Sequence, residues 1–199
     1  MDVVTTTDQP GRTFCLTFDD GPNPPDTDRL LDLLAELDVS AVFCLVGDQV
    51  RAHPQVAARI AGAGHVLGNH SMHHDDMAEW SPARVREDLA TTSALIADAT
   101  GAPVPWFRAP FGHWGAAIEV AAELGMRPLG WQLAVEDWLA PGADVLADRI
   151  LTGLAPGGVV LLHDGGGDRS GTVDAVARVV PVLRAAGWTT ALPAAHPQP

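Results

Sequence analysis

Apolar segments of strand length alternate with amphipathic helical segments along nearly the whole sequence. The strand-like segments are residues 13–18, 41–46, 65–68, 106–108, 128–133, 159–163 and 188–192. Because these segments are continuously apolar, the pattern favours a parallel sheet that is covered by helices. About seven such units predict an α/β fold, in the form of a small, imperfect (β/α) barrel. An open doubly wound sheet is the alternative fold.

Local signals mark the boundaries of two helices. The segment 26–37 has leucines spaced along one helical face, with Asp26 or Thr27 placed to cap it. Ser81 and Pro82 mark the start of the best-defined helix, which ends before Gly101. Similar patterns predict helices at 54–61, 116–124 and 172–186, and a weaker pattern lies near 144–151.

Length and charge limit the class of protein. At 199 residues, the chain fits one domain over residues 1–199, with a core at about residues 13–192. Twelve Lys and Arg against 25 Asp and Glu give a formal charge of −13, which disfavours nucleic acid and anionic membranes as partners. Cys15 and Cys44 lie in apolar strands, so two buried free thiols are favoured over a disulfide.

The amino terminus carries no visible export signal. It lacks a basic start and an apolar stretch, and no apolar run in the chain approaches the ~20 residues of a membrane span. The expected compartment is cytoplasmic or unassigned, because a trimmed form of a secreted protein has the same features. The sequence gives no indication of the oligomeric state.

Polar side chains follow the ends of several predicted strands. In a barrel, the carboxyl ends of the strands converge on one face, where a single site collects them. In an open sheet, the same groups are spread along an edge. The residues at these positions are Asp19, Asp20, His70, Arg108, Asp137 and His163.

Two of these polar residues and the nearby His74 form a candidate metal shell. His70 and His74 are four residues apart, so one turn of chain can present both imidazoles to the same ion. With Asp20 they make a shell of two His and one carboxylate that leaves positions open for water and substrate. Zinc is the first choice, and cobalt, nickel or iron also suit these ligands. His73 and Asp75 are rival ligands or neighbours of the shell.

The remaining polar residues offer acid and base groups. Asp19 beside a metal water is a candidate general base, although an Asp-Asp-Gly-Pro stretch also reads as a turn. His163 is either a satisfied core histidine or a proton donor. Arg108 and Asp137 form an ion pair with each other, or else Arg108 holds Asp19 and Asp137 holds His163.

Five short motifs resemble those of the polysaccharide deacetylases of carbohydrate esterase family 4, also called the NodB homology domain. The resemblance covers about residues 14–192. The motifs are TFDDGP at 17–22, HSMHH at 70–74, RAPFG at 108–112, DW at 137–138 and LLH at 161–163. The resemblance implies a distorted (β/α) barrel, which agrees with the count of about seven parallel strands.

The resemblance also implies a role for each residue of these motifs. Asp20, His70 and His74 are the ligands of a divalent metal. Asp19 is the base that Arg108 orients, and His163 is the acid that Asp137 orients. The walls of the substrate pocket are Trp138, Leu161, Phe111 and Pro110.

Two positions depart from the usual family pattern, and one loop is unusually rich in glycine. Ala134 stands where members often have Asp, three residues before the Asp137-Trp138 pair, and this departure puts the substrate preference in doubt. His113-Trp114 is an uncommon continuation of the Arg108 motif. A glycine-rich loop at 165–170 follows His163. We expect the last two stretches to be rim elements that shape specificity.

These features predict a metal-dependent hydrolase that acts on carbohydrate. The expected reaction is removal of N-acetyl groups from chitin-type or peptidoglycan-type poly- or oligosaccharides that contain N-acetylglucosamine. The alternatives are an O-acetyl esterase on xylan-type polysaccharide, deacetylation of another small amide, and a non-catalytic sugar-binding module. An iron oxygenase with the same ligands is disfavoured, because such shells usually occur in a cupin-like β-fold.

Overall fold

One curled sheet of parallel strands organises the molecule. The computed structural model describes residues 2–194. The strands are β1 (Thr13–Asp19), β2 (Val42–Leu45), β3 (Val66–Asn69), β4 (Trp106–Phe107), β5 (Arg127–Pro128), β6 (Leu133–Ala134), β7 (Gly158–His163) and β8 (Thr189–Thr190). They run in the order β5-β4-β3-β2-β1-β7-β6, and β8 lies beside β1. The predicted distorted (β/α) barrel is confirmed.

The strand predicted at 128–133 is in fact two strands at opposite ends of the sheet. β5 and β6 follow each other in the chain, so the sheet curls until its two ends approach. Residues 4–7, which we call the seam segment, bridge the gap by pairing Val4 with Leu129 and Thr6 with Gly158. Its backbone also accepts from the N–H of Gly130 at 2.7 Å. This closure does not fit the alternative of an open sheet.

Helices cover the outside of the curled sheet. The best-marked helix begins as predicted, because the Ser81 hydroxyl accepts from the N–H of Arg84 and Gly101 ends the helix with a left-handed φ of 67°. A short helix at 47–52 was not predicted, since six residues carry too little periodicity. The bounds are α1 (Asp26–Glu36), α2 (Gly47–Ala52), α3 (Pro54–Gly62), α4 (Pro82–Thr100), α5 (Ala117–Glu123), α6 (Ala143–Gly153) and α7 (Ser170–Ala185).

The expected cap of α1 is wrong. The residue before the helix is Pro25, and it makes no capping hydrogen bond through a side chain. Asp26 and Thr27 are buried and face other partners: Asp26 Oδ2 accepts from the backbone N–H of Arg169, and the Thr27 hydroxyl donates to Asp164. These two side chains therefore tie α1 to the loop after β7.

Alternate residues along the strands point to opposite faces of the sheet and pack into two different apolar clusters, because a strand is pleated. One face packs under the helices, as Phe14, Leu16 and Phe18 of β1 do. The other face fills the barrel with a second cluster that includes both cysteines. Cys15 and Cys44 are buried free thiols, as predicted. The members of the barrel cluster are Val4, Cys15, Val42, Cys44, Trp106, Leu129 and Val159.

Candidate active site and metal centre

The carboxyl ends of the strands surround a cavity of about 520 Å³. Most of the predicted site residues line it, and Arg108 and Asp137 lie directly behind it. Pro110, predicted as a pocket wall, is buried in its own turn and is not among the described residues that line the cavity. The lining residues are Asp19, Asp20, His70, His74, Ala109, Phe111, Gly112, Trp131, Trp138, Leu161, His163, Gly166 and Arg169.

Asp20, His70 and His74 form a cluster with the spacing of a metal site. One ligand atom from each lies within 4.8 Å of the others. Asp20 Oδ1 is 3.4 Å from His70 Nε2 and 3.2 Å from His74 Nε2. His70 Nδ1 lies 2.7 Å from the Arg108 carbonyl, so the neutral ring donates from Nδ1 and presents the lone pair of Nε2 to the cluster.

The chemistry of this cluster fits a divalent cation. Asp20 Oδ1 is buried and has no hydrogen-bond partner among the described residues. Burial raises the pKa of Asp20, but the close approach of His70 outweighs burial and lowers this pKa to about 2, so the group is a carboxylate at neutral pH. A buried carboxylate oxygen that faces two imidazole nitrogens is a set of ligands that suits a divalent cation.

Asp19 is held beside the metal cluster by a buried arginine. Arg108 Nη1 donates to Asp19 Oδ1 at 2.7 Å, and the other carboxylate oxygen lies 3.6 Å from His70 Nε2. Every nitrogen of the guanidinium is used, because Nε donates to the Leu129 carbonyl at 3.0 Å and Nη2 to the Gly130 carbonyl at 2.8 Å. The fixed fork leaves Asp19 Oδ2 facing the cavity.

His163 is held by a buried carboxylate on the other side of β1. Its Nδ1 lies 2.7 Å from Asp137 Oδ1, and its backbone N–H donates to Asp137 Oδ2 at 2.8 Å. The Thr172 hydroxyl donates to the same oxygen at 2.9 Å. Burial lowers the pKa of His163, but the hydrogen bond and charge of Asp137 outweigh it, so the pKa is raised. Nε2 is left free for a substrate.

Three residues other than glycine that line the cavity have a left-handed backbone. The φ angles of Asp20, His74 and Phe111 are 72°, 58° and 60°. Such angles cost free energy for residues other than glycine and concentrate at functional sites. At Phe111 the turn leaves the ring exposed at the mouth of the cavity, 4.7 Å from the His74 ring.

Comparison with protein families agrees with this geometry. The family model described as polysaccharide deacetylase matches residues 6–129. The chain belongs to the polysaccharide deacetylase family. It is 34% identical over 190 residues to a chitooligosaccharide deacetylase of Rhizobium leguminosarum bv. trifolii. The aligned region covers 89% of this chain and 88% of that protein.

Solved structures of the polysaccharide deacetylase family have the same fold. The Bc1960 peptidoglycan N-acetylglucosamine deacetylase superposes with a TM-score of 0.87 at 30% identity, over 94% of this chain and 89% of that one. A CE4 family pseudoenzyme from Bacillus anthracis superposes with a TM-score of 0.85 at 29% identity. The match covers 90% of this chain and 63% of the pseudoenzyme chain. The fold alone therefore does not establish activity, which depends on the residues in the site.

The rival ligands lie outside the metal cluster. His73 is exposed and pairs through Nδ1 with Asp48 at 2.7 Å. Asp75 is exposed and lines a separate groove, which Trp80 also lines. Among the residues that the structure describes, the group with metal-ligand spacing is the one formed by Asp20, His70 and His74.

The unusual stretches differ in how they relate to the cavity. We expected Trp114 at the rim of the cavity, but its ring packs against Phe107 in a separate apolar cluster. His113 is exposed, pairs with Asp76 at 2.7 Å and does not line the cavity. Ala134 is the register partner of Leu161, so its side chain shares the face of that pocket wall.

Three residues at the site had no predicted role of their own, although Arg169 belongs to the loop 165–170 that was expected at the rim. Trp131 lines the cavity, and the centre of its ring lies 5.8 Å from the Arg108 guanidinium. A Cβ on Gly112 would lie 2.7 Å from the Trp131 ring, so the ring packs closely on this glycine. Arg169 lines the same cavity, and Asp164 is buried behind it. Two signals were available: Asp164 directly follows His163, and Arg169 is the one cation of the glycine-rich loop.

The substitution His74→Ala is expected to weaken binding of Zn²⁺ or Co²⁺ by at least about 100-fold, because loss of a partner behind a ligand already costs 10- to 100-fold. His73→Ala is the matched control, since His73 is the adjacent imidazole and lies outside the cluster. Metal titration of the chelated proteins measures both. Equal affinity in the two variants would contradict the assignment of the cluster.

Asp164 is expected to make the folded state less stable as the pH rises. Its Oδ2 accepts from the Thr27 hydroxyl at 2.6 Å, its Oδ1 has no described partner, and burial raises its pKa from 3.8 to about 7. Between these values the unfolded chain loses the proton while the folded chain keeps it, so stability falls across this range and levels off above about pH 7.

Asp164→Asn is therefore expected to reduce the difference in Tm between pH 5 and pH 8. The amide oxygen still accepts from Thr27, but the side chain no longer titrates. Asp148→Asn on α6 is the control, because this aspartate is exposed. Thermal unfolding of the parent and both variants at the two pH values checks this. An unchanged difference in Asp164→Asn would show that another group causes the dependence.

Proposed function

We propose that this protein is a metal-dependent hydrolase that removes N-acetyl groups from oligo- or polysaccharides containing N-acetylglucosamine, of chitin or peptidoglycan type, and releases acetate. The observation that carries the proposal is one cavity that contains the Asp20–His70–His74 cluster, Asp19 and His163. Its relatives named as chitooligosaccharide and peptidoglycan-N-acetylglucosamine deacetylases support it. Residues 1–199 would then form one catalytic domain with carbohydrate as its partner.

Zinc is the proposed metal, with cobalt or nickel as functional substitutes. Asp20, His70 and His74 would hold it, since imidazole and carboxylate ligands suit these ions. When bound, such an ion acts as a Lewis acid on a carbonyl oxygen and lowers the pKa of water.

The side chains around this cluster supply the proton transfers. Asp19, held in place by Arg108, takes a proton from the attacking water. His163, held by Asp137, donates a proton from Nε2 to the leaving nitrogen, because an amine cannot leave as an anion at neutral pH. Leu161 and Trp138 form an apolar wall for the acetyl methyl group.

An N-acetyl group is favoured over an O-acetyl group by the pair of His163 and Asp137. Breaking a carbon–nitrogen bond depends strongly on an acid, whereas an alcohol is a better leaving group. A sugar-binding module without activity is disfavoured, because every proposed acid, base and ligand position is occupied by a suitable residue. Xylan-type O-acetyl groups and other small amides remain the alternative substrates to be compared.

Acetate release from N-acetylglucosamine oligomers tests the proposal. The protein is first chelated and then restored with Zn²⁺ or Co²⁺. We expect no release without metal, release with either ion, and slower release from O-acetylated xylan. If metal binds and only the xylan is hydrolysed, the esterase alternative is correct. If neither substrate is hydrolysed, the proposed function is wrong.

A further inference from the structure

Arg169 is a buried cation that contacts backbone instead of carboxylates. It is 6% exposed and lines the cavity. Its guanidinium donates from Nε to the Gly165 carbonyl at 2.7 Å, from Nη2 to the Gly166 carbonyl at 3.0 Å and from Nη1 to the Asp137 carbonyl at 3.3 Å. Within residues 2–194, no carboxylate forms an ion pair with it. A surface ion pair therefore does not explain this side chain.

The three carbonyls lie on the two chain segments that carry His163 and Asp137, which together we call the acid pair. Gly165 and Gly166 lie in the loop that directly follows His163 and Asp164, and the third carbonyl belongs to Asp137 itself. One planar guanidinium thus spans the segment that carries His163 and the segment that carries its carboxylate partner. A guanidinium offers donors in a fixed fork, so it sets the distance between the groups that it contacts.

The loop needs such support because its residues are glycines. Gly166 and Gly167 have φ angles of +73° and +141°, in the region that favours glycine, and a Cβ on Gly165 would lie 2.1 Å from the Asp20 carbonyl oxygen. Glycine is therefore required at these positions, yet it has the greatest backbone freedom of any residue. The contacts from Arg169 restrict a loop that its own sequence does not restrict.

Arg169 is itself fixed by α1, and it directly precedes α7. Its backbone N–H donates to Asp26 Oδ2 of α1 at 2.7 Å. Thr172, in the first turn of α7, donates its hydroxyl to Asp137 Oδ2. The start of α7 therefore contacts Asp137 twice, once through its carbonyl and once through its carboxylate.

We propose that Arg169 is a positioning residue for the leaving-group acid: its guanidinium holds the loop 165–167 against the Asp137 backbone and so maintains the hydrogen bond between His163 Nδ1 and Asp137 Oδ1. This inference rests on the proposed function for the role of His163. Lysine is not an adequate replacement, because one ammonium group cannot reproduce the planar fork that reaches three carbonyls.

The activity test compares two substrates that differ in their need for an acid. Arg169→Lys is assayed on N-acetylglucosamine oligomers and on 4-nitrophenyl acetate, whose leaving group departs without a proton. We expect kcat for the oligomer to fall about 10- to 100-fold, the usual effect of a group that orients a functional side chain. The rate on the aryl ester and the metal content should stay close to the parent values. Equal losses on both substrates, or no loss, would overturn the inference.

The matched control is Arg178→Lys. Arg178 is an exposed arginine of α7 that pairs with Asp144 and does not contact His163 or Asp137 among the described residues. It should leave both rates unchanged.

A proton NMR measurement tests whether Arg169 maintains the hydrogen bond between His163 and Asp137, and it does not depend on an activity assay. The Nδ1 proton of His163, in its 2.7 Å contact with Asp137, should give a downfield signal in the parent and in Arg178→Lys. In Arg169→Lys we expect it to shift or to broaden through faster exchange with water. An unchanged signal would overturn the positioning role. If the parent releases no acetate from the oligomers, the proposed function is wrong, and this signal still tests whether Arg169 positions the pair.

Discussion

Asp19→Asn is expected to lower kcat for acetate release from N-acetylglucosamine oligomers by about 10²- to 10⁴-fold, the range for loss of a general base. The amide can still accept the hydrogen bond from Arg108, but it cannot take a proton from water. Because Asp19 lies outside the Asp20–His70–His74 group, the metal content should not change. Steady-state kinetics and metal analysis of the purified variant measure both quantities.

A control must separate lost chemistry from lost stability in Asp19→Asn. The substitution removes the negative charge that pairs with the fully buried Arg108. Complete loss of a buried partner costs about 3–5 kcal/mol, and the remaining amide hydrogen bond makes this an upper limit here. Thermal unfolding therefore accompanies the kinetics. Asp76→Asn removes an exposed carboxylate that pairs with His113 and should retain full activity. A folded, metal-loaded Asp19→Asn protein with the parent kcat would refute the assignment of the base.

His163→Gln is expected to lower kcat on the same oligomers by about 10²- to 10⁴-fold while affecting 4-nitrophenyl acetate much less. The amine product requires a proton as the carbon–nitrogen bond breaks, whereas 4-nitrophenolate leaves without one. The ratio of the two rates therefore reports the acid directly. A loss of folding or of metal would lower both rates together.

His113→Gln is the matched control for His163→Gln. His113 has the same contact with an aspartate, Nδ1 to Asp76 Oδ2 at 2.7 Å, but it is exposed and outside the cavity. It should leave both rates unchanged. If His163→Gln lowered the ester rate as much as the amide rate, His163 would be acting in a step common to both substrates, and the assignment of the leaving-group acid would fail.

The regular elements of the fold were predictable because local chemistry determines them. Serine before proline marks the start of α4, and the capping bond to the Arg84 N–H is present. The division of the predicted strand 128–133 was not predictable from its residues. It depends on pairing with the seam segment, and the sequence separation between these partners hides the pairing from any local pattern.

The reactive groups of the site were easier to predict than their supports. Asp19 and His163 end strands, so a barrel places them on one face. Arg169 acts through hydrogen bonds to carbonyls, and any residue has a carbonyl, so residue types give no sign of its partners. Trp114 shows the opposite error, because an unusual residue beside a motif packs into an apolar cluster away from the cavity.

The seam segment links the order of folding to the moment at which activity appears. Arg108 donates to the carbonyls of Leu129 and Gly130, and this stretch pairs with Val4. The seam joins parts of the chain that are far apart in sequence, and such contacts form late because their loops are costly to close. Alignment of Asp19 should therefore be among the last events of refolding, so the return of catalysis should lag behind the return of helical signal.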